Sequence, residues 1–331
     1  MSTESKLITP TTRSINWRRI VRSQDFGVFL ILLLMCLFLS FATENFSTST
    51  NIFNVLRACS WIAIAAFGEI LVIISGGIDL SVGSTMALSG LVAGMVFAAG
   101  LPMGVGLLAG ILVGLLVGLL NGLLVSRGKL PPFIATLGTM SIGRGLCYGL
   151  TNAQPLTDIP DSFRVLGQYD SPFLSVTIPL PVIYMLVFVI IMSLFLSRTT
   201  WGYRIYALGG NEQATALSGI NTDQLKLLVY SLCGLLAGIG GLIMTARLGV
   251  AAPTAAAGYE LDVIAAVFIG GASTTGGEGS TLGALMGAAI MQVLRNGLVL
   301  LGFPAYWQPA AIGLVIVITL MLDQYRKRRS Q

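Results

Sequence analysis

Histidine is absent from this sequence of 331 residues, and only 10% of the residues are charged. Without an imidazole, catalytic triads and dyads that rely on a histidine base are excluded, and so are histidine-based metal sites. No G-x-x-x-x-G-K-[ST] motif occurs, so the sequence offers no P-loop to hold the phosphates of ATP. We therefore expect a chain that is not an enzyme and that binds neither a metal nor a cofactor.

Cysteine is also scarce, and each cysteine stands alone. The four cysteines are Cys36, Cys59, Cys147 and Cys233, all within apolar segments and none in a C-x-x-C pair. A single thiol in apolar surroundings usually acts as a small packing residue. The pattern favours packing over a redox or metal-binding role.

Apolar residues dominate what is present: 55% of the residues are hydrophobic, and the mean hydropathy is +0.85. A soluble domain has about 25% charged residues, and a membrane-spanning helix needs about 20 apolar residues in a row. We predict an all-α membrane protein, a polytopic bundle of about ten transmembrane helices. The predicted spans are 26–43, 58–75, 83–99, 102–126, 131–150, 179–197, 224–246, 259–272, 281–301 and 305–322. The eighth is too short to cross alone and is predicted to be short or re-entrant.

The distribution of basic residues predicts the orientation of this bundle. Most of the 19 lysines and arginines lie in the tail 1–25, in the loops near 127–129 and 198–226, and in the basic tail 324–331. Cytoplasmic segments are rich in lysine and arginine, so we expect both termini to be cytoplasmic. The basic residues behind the net charge of +5 would then lie on cytoplasmic loops that face the lipid surface. A nucleic-acid partner is therefore not expected.

Glycine recurs at every fourth position of the fourth predicted span. A four-residue spacing keeps small residues on one helix face, where another helix can approach closely. Static packing and a sliding surface are both consistent with this pattern. The five positions are Gly106, Gly110, Gly114, Gly118 and Gly122.

A polar break joins the second and third predicted spans. Gly76 and Gly77 interrupt the helix, Asp79 adds a charge at the membrane boundary, and Ser81 and Ser84 are candidate N-caps. An ordinary capped turn would explain the pattern. A broken helix that lines a cavity would explain it equally well.

Ionisable residues within the spans are expected to have partners, because an unpaired charge in a membrane is costly. Glu69, Arg144 and Arg295 are the charges in question, and Asn121 and Asn296 are polar neighbours. We predict that Glu69 pairs with Arg295 or with Arg144 inside the bundle. The alternative is that one or more of these side chains extends to the membrane surface.

The loop 198–223 is predicted to contain a short capped helix. Gly209 and Gly210 suggest a turn, Asn211 is a candidate N-cap, and a helix from Glu212 to Leu217 would end near Gly219. Such a short helix is marginal alone and needs a surface to pack against. That surface is either the membrane domain itself or another protein.

Six longer motifs are distributed along the chain: GGIDLSVG at 76–83, YALGGNE at 206–212, LSGI at 217–220, GYELDVIAAV at 258–267, NGL at 296–298 and LLG at 300–302. These motifs resemble those of the permease subunits of ribose-type sugar ABC importers, and the likeness covers about residues 27–323. Permeases for xylose, arabinose and galactosides share the pattern, so it indicates the family and not the sugar.

The resemblance implies an architecture and partners. It implies a permease domain at 26–323 in the bacterial inner membrane that moves a monosaccharide or polyol by alternating access. A second permease subunit, identical or related, a cytoplasmic ATPase that uses ATP and Mg²⁺, and a periplasmic sugar-binding protein would complete the importer.

The resemblance also assigns the short helix in the loop 198–223 to docking on the ATPase. The residues expected to couple to the ATPase are Gly209, Gly210, Asn211, Glu212, Ala216, Leu217, Ser218 and Gly219. Intramembrane polarity, and not the resemblance, suggests the polar lining of the pathway. The residues expected there are Asp79, Ser81, Asn121, Arg295 and Asn296.

Other transport classes compete with this interpretation. An ion-coupled secondary transporter could use Asp79, Glu69 and Arg144 as coupling residues, and the many glycines are compatible with a passive channel. An ABC permease for autoinducer-2 or a nucleoside is a further alternative. Arg295 and Glu69 depart from the ribose-permease pattern, so the transported solute is left open.

Overall fold

The computed structural model describes residues 24–173 and 176–330, and these residues are mostly helical. We number the helices and strands in chain order. They are α1 Gln24–Ala42, α2 Ser49–Ile74, α3 Val82–Ala98, α4 Met103–Ser126, α5 Pro132–Thr151, α6 Asp161–Gln168, β1 Asp170–Phe173, β2 Val176–Pro179, α7 Leu180–Arg198, α8 Thr200–Gly210, α9 Glu212–Leu217, α10 Thr222–Leu248, α11 Tyr259–Ile269, α12 Thr281–Leu300, a 3-10 turn Ala305–Trp307, and α13 Gln308–Ser330.

The centre of the bundle is α2. Its residues from Cys59 to Ile74 are buried on every side, because α7, α10, α11 and α12 all pack around it. A helix that is apolar around its whole circumference is stable only in such a position. The α2 helix therefore forms the core to which the other helices attach.

Each of the ten predicted spans coincides with one helix, although the count of membrane crossings stays a prediction. Among the described residues, five helices are long and apolar enough to cross a membrane: α2, α4, α7, α10 and α12. Shorter apolar stretches lie at Phe26–Ala42, Val82–Ala98 and Gln308–Ile318. Most of the predicted tail 1–25 lies outside the described residues, and the segment predicted as a basic tail at 324–331 is helical as far as Ser330.

The eighth predicted span is short, as expected. Helix α11 has 11 residues, which at about 1.5 Å per residue reach roughly half of a bilayer core of about 30 Å. An irregular segment, residues 249–258, precedes it. This segment lies against α3, because a Cβ on Gly94 would meet Ala251 at 3.0 Å and a Cβ on Gly83 would meet the Ala256 carbonyl oxygen at 2.7 Å.

The glycines of α4 lie against α10 and α3. A Cβ on Gly114 would lie 2.4 Å from the Gly234 carbonyl oxygen, and one on Gly118 would lie 2.3 Å from that of Tyr230. The two helices therefore touch through their backbones. The remaining contacts are Gly106 with Phe97, Gly110 with Ser89 and Leu242, and Gly122 with Leu227.

The long loop 151–178 contains structure that the sequence pattern did not indicate. Helix α6 is followed by an antiparallel hairpin, in which Asp170 pairs with Pro179. The Asp170 carboxylate forms an ion pair with Arg57 of α2. This contact ties the hairpin to the beginning of the central helix.

Candidate functional site

The break between α2 and α3 carries a buried polar network around Asp79. The carboxylate accepts hydrogen bonds from the Ser81 backbone N–H at 2.8 Å and from the Ser81 hydroxyl at 2.6 Å. The amide of Asn121, from α4, donates to Asp79 Oδ2 at 3.2 Å and to Ser81 Oγ at 2.8 Å. Thr139 of α5 donates to Asn121 Oδ1 at 2.7 Å. The network thus joins helices α4 and α5 to the break.

Ser81 occupies the helix position predicted for it, but its side chain does not cap the helix. Ser81 is the N-cap residue of α3, but its side chain makes no capping hydrogen bond. Its hydroxyl points to Asp79 instead, because a buried carboxylate needs donors more than an adjacent helix end does. The N-cap predicted at Ser84 is wrong, because Ser84 lies inside α3, where its hydroxyl donates to the Ser81 carbonyl oxygen at 2.9 Å.

Glu69 completes this network from within α2. Its Oε1 accepts the backbone N–H of Asp79 at 3.0 Å, and the Cys233 thiol lies 3.6 Å from its Oε2. Glu69 is fully buried. Its carboxyl group therefore satisfies a backbone donor that the interrupted helix leaves free.

Arg144 likewise satisfies free backbone groups, at a second irregular segment. Its guanidinium donates to the carbonyl oxygens of Pro253 at 2.9 Å and Ala255 at 2.8 Å. These residues belong to the segment 249–258 that precedes α11. Irregular backbone at membrane depth is tolerated only where its polar groups find partners, and Arg144 supplies them.

Arg295 pairs with a residue that sequence reasoning did not select. The guanidinium forms an ion pair with Asp262 of α11 and lies 4.9 Å from the centre of the Tyr259 ring. Asp262 is fully buried. Its acidic charge in a short apolar helix was the available signal, since an intramembrane carboxylate needs a cation nearby.

The predicted pairing of Glu69 with Arg295 or Arg144 is therefore wrong. Each of the three charges has a separate partner: a backbone N–H, an aspartate and two carbonyl oxygens. The reason is that the two breaks in the helices create buried backbone groups that need partners of their own.

The residues expected to line a pathway fall into separate groups. Asp79, Ser81 and Asn121 form one network and are at most 1% exposed, so they lie inside the subunit in this conformation. Arg295 of α12 pairs with Asp262 of α11, and Asn296 exchanges two hydrogen bonds with Asn51, at 3.0 and 2.8 Å. A role in the pathway stays a prediction for all five.

The loop 198–223 contains two helices. Asn211 has an extended backbone, and its Oδ1 accepts the Ala214 N–H at 2.9 Å as the N-cap of α9. Gly219 follows the helix with a φ of 81°. Leu217 is 90% exposed, and the neighbouring positions Ala216 and Ser218 are exposed too. Helix α9 thus presents an open surface to its surroundings.

The turn predicted at Gly209 and Gly210 is wrong, because both residues end helix α8. Glycine at 209 serves close packing instead: a Cβ there would lie 1.7 Å from the Ile74 carbonyl oxygen. Gly277 donates its N–H to the same oxygen at 2.8 Å. The end of α8 therefore rests directly on the end of the central helix.

Polar contacts hold α8 and α9 to the bundle. Lys226 of α10 lies 2.6 Å from Glu212, and Tyr206 of α8 donates to the Gly279 carbonyl oxygen at 2.7 Å. Burial raises the pKa of the Tyr206 phenol, which keeps it protonated as a donor. The two helices are thus anchored on one side and exposed on the other.

Comparisons with known proteins give a consistent result. The family model described as "Branched-chain amino acid transport system / permease component" matches residues 51–320. The ribose import permease protein of Bacillus subtilis (strain 168) is 44% identical, with 91% of this chain and 93% of that protein covered. That of Escherichia coli (strain K12) is 40% identical, with 96% and 100% covered.

A xylose transport system permease protein of Escherichia coli (strain K12) is 32% identical, with 99% of this chain and 98% of that protein covered. No solved structure matches the chain.

Proposed function

Because this chain belongs to the family of permease components described for the branched-chain amino acid transport system, we propose that it is the membrane subunit of an ABC importer for a pentose, with ribose the first candidate. The observation that carries this proposal is the 40–44% identity to ribose import permeases over more than nine-tenths of the chain. The more distant xylose permease supports the same class of substrate.

The energy for import would come from a separate ATPase. The sequence contains no P-loop, so ATP and Mg²⁺ would be used by that partner. Helix α9 would supply the docking surface, because Leu217 and its exposed neighbours project from a helix whose other contacts hold it to the bundle.

A complete importer would hold two permease subunits, identical or related, and a periplasmic sugar-binding protein. ATP-driven closure of the ATPase would move the two α9 helices, and the subunits would alternate between outward-open and inward-open forms. Tight binding in the pathway would slow release. The binding protein would therefore determine most of the selectivity between sugars. The permease itself would be a multi-pass protein of the inner membrane.

Uptake into vesicles tests the energy source and the substrate together. The permease, its ATPase and its binding protein are reconstituted, and uptake of radiolabelled ribose, xylose and a nucleoside is followed. We expect ATP-dependent ribose uptake that ionophores leave unchanged. Uptake that follows an ion gradient without ATP would contradict the proposal, and nucleoside uptake would reject the pentose assignment.

Co-purification tests the docking surface. We expect Leu217→Arg to reduce ATPase recovery by at least about tenfold, since an exposed apolar anchor at an interface contributes about 1.4 kcal/mol or more. Leu248→Arg is the matched control, because Leu248 is 56% exposed at the opposite end of α10. Equal recovery with both variants would exclude α9 as the docking helix.

A further inference from the structure

Two buried carboxyl groups meet at the break between α2 and α3 without a cation. Glu69 and Asp79 are 0% and 1% exposed, and the Asp79 N–H donates to Glu69 at 3.0 Å. Within the described residues, neither takes part in an ion pair, and no cluster there is suited to a metal ion. Two carboxyl groups that are buried beside one break without a cation cannot both be ionised at an acceptable cost.

The hydrogen bonds distinguish the two groups. Asp79 accepts from the Ser81 N–H, the Ser81 hydroxyl and the Asn121 amide, and several donors to one carboxyl group favour its ionised form. Glu69 accepts one backbone N–H and faces the Cys233 thiol at 3.6 Å. A thiol is a weak donor. The negative charge is therefore better held on Asp79, and a proton on Glu69.

The hydroxyl of Tyr230 is buried beside the same break. Tyr230 lies on α10 one turn before Cys233, is 1% exposed, and its hydroxyl has no hydrogen-bond partner among the residues that the structure describes. The hydroxyl oxygen lies 2.3 Å from the Cβ position of Gly77, two residues before Asp79, and interacts electrostatically with both carboxyl groups. A hydroxyl can accept and donate a proton at once.

A polar cavity of about 300 Å³ reaches Tyr230 from the side that carries α9. This volume is large enough for several waters. Charges of both signs stand at its wall: Lys129, Glu212 and Lys226. The wall also includes Ser75 and Gly77.

We propose that Glu69 and Asp79 form a proton-binding site, with the proton on Glu69, that exchanges with water in this cavity through Tyr230. The proton leaving Glu69 passes to the Tyr230 oxygen while the Tyr230 hydroxyl releases its own proton to water, so the O–H bond is replaced, Tyr230 is left unchanged and water carries the proton away. The groups facing the pair are the titratable Tyr230 and Cys233 of α10 and the uncharged Ser81, Asn121 and Thr139. The site goes beyond solute import and does not depend on which sugar is carried.

Infrared spectroscopy of the purified chain in lipid vesicles tests the protonation directly. The spectrum at neutral pH minus that at alkaline pH should contain the carbonyl stretch of a protonated carboxylic acid. Glu69→Gln should abolish this band, and Glu44→Gln, at an exposed position, should retain it. The chain has no histidine, so no imidazole titrates near neutral pH.

The pH dependence of stability gives a second readout. The folded chain holds a proton that the unfolded chain releases, so raising the pH favours the unfolded state, by up to tenfold in the folding equilibrium per pH unit. The unfolding midpoint of the wild type should therefore fall as pH rises. Glu69→Gln should lose this slope, because the amide still accepts the Asp79 N–H and has no proton to lose.

Three results would overturn the proposal: a wild type without the acid band, a band unaffected by Glu69→Gln, or a band lost in Asp79→Asn alone. The first requires no variant and decides the matter even if Glu69→Gln does not fold. Tyr230→Phe tests the route separately. It should keep the band but slow its loss after a jump to alkaline pH at least several-fold, and an unchanged rate would exclude Tyr230 as the relay.

Discussion

Arg295 and Asp262 form the ion pair with the most buried acidic partner in the described part of the chain. The Asp262 side chain is 0% exposed and that of Arg295 is 23% exposed. Taking two charges out of water costs free energy, which the ion pair and the Tyr259 ring offset only while both partners are present. Removing one partner leaves the other buried and uncompensated.

Arg295→Met is therefore expected to destabilise the chain by about 3–5 kcal/mol, measured as the free energy of unfolding in detergent. The control is Arg204→Met, because Arg204 also lies over an aromatic ring, that of Trp201 at 5.5 Å, but is exposed. Its loss should cost less than about 1 kcal/mol. The double variant Asp262→Leu/Arg295→Met should recover stability relative to Arg295→Met. Equal losses of unfolding free energy in Arg295→Met and Arg204→Met would contradict a buried pair.

Residue types were predictable from the sequence to a greater extent than residue partners. Glu69, Arg144 and Arg295 were identified as intramembrane charges because each interrupts an apolar run. Their partners were not predictable, since the carbonyl oxygens bound by Arg144 become free only in a segment whose irregular path depends on the fold. Asp262 was not predictable as a buried residue, because Glu260 and Asp262 both lie in the first turn of α11. Two acidic residues so close together suggest the polar end of a span.

At the scale of the elements, glycine spacing alone did not distinguish contact from open space. Gly114 and Gly118 of α4 touch α10, whereas Gly145 and Gly149 of α5 have the same four-residue spacing and no atom within 4 Å of their Cβ positions in this subunit. The spacing predicts a face of small residues. Only the packing of the helices decides whether another backbone occupies that face.

Gly118→Ala and Gly145→Ala should consequently have opposite effects on the isolated subunit. A Cβ at 118 would lie 2.3 Å from the Tyr230 carbonyl oxygen, so α4 and α10 must separate, at about 1–3 kcal/mol. Alanine at 145 meets nothing and should add up to about 1 kcal/mol of helix stability. Thermal unfolding in detergent measures both. An unchanged unfolding midpoint in Gly118→Ala would mean that α4 and α10 can separate at little cost in free energy.

At the scale of the whole molecule, the motifs correctly predicted the family, and the comparisons confirmed the resemblance to ribose-type permeases. The helix at 212–217 was predictable because its cap and its stop lie within ten residues of each other. Helix α8 was not, since Gly209 and Gly210 are poor helix formers. The helical position of Gly209 reflects its tertiary contact with Ile74 of α2.

That contact connects the exposed helix α9 to the centre of the bundle. Asn211 alone separates α9 from α8, and Gly209 rests on the Ile74 carbonyl oxygen, which also accepts the Gly277 N–H at 2.8 Å. Ile74 ends α2 five residues before Asp79. We therefore expect a displacement of α9 to reach the α2–α3 break through these closely packed elements.

Gly209→Ala is expected to separate ATPase binding from sugar import. The added Cβ would lie 1.7 Å from the Ile74 carbonyl oxygen, so α8 must move away from α2 while the exposed surface of α9 remains intact. We expect normal ATPase recovery and at least a tenfold fall in sugar imported per ATP hydrolysed, because a barrier increase of about 1.4 kcal/mol gives a factor of ten.

Gly210→Ala is the matched control, since a Cβ at 210 meets no atom within 4 Å. It should transport sugar at the wild-type ratio to ATP. A lower thermal midpoint in Gly209→Ala alone would reveal a folding defect, so the two variants are compared at a temperature where both are folded. Equal coupling in both would mean that movement reaches α2 by another route, and the Lys226–Glu212 contact between α10 and α9 would then be the next connection to break.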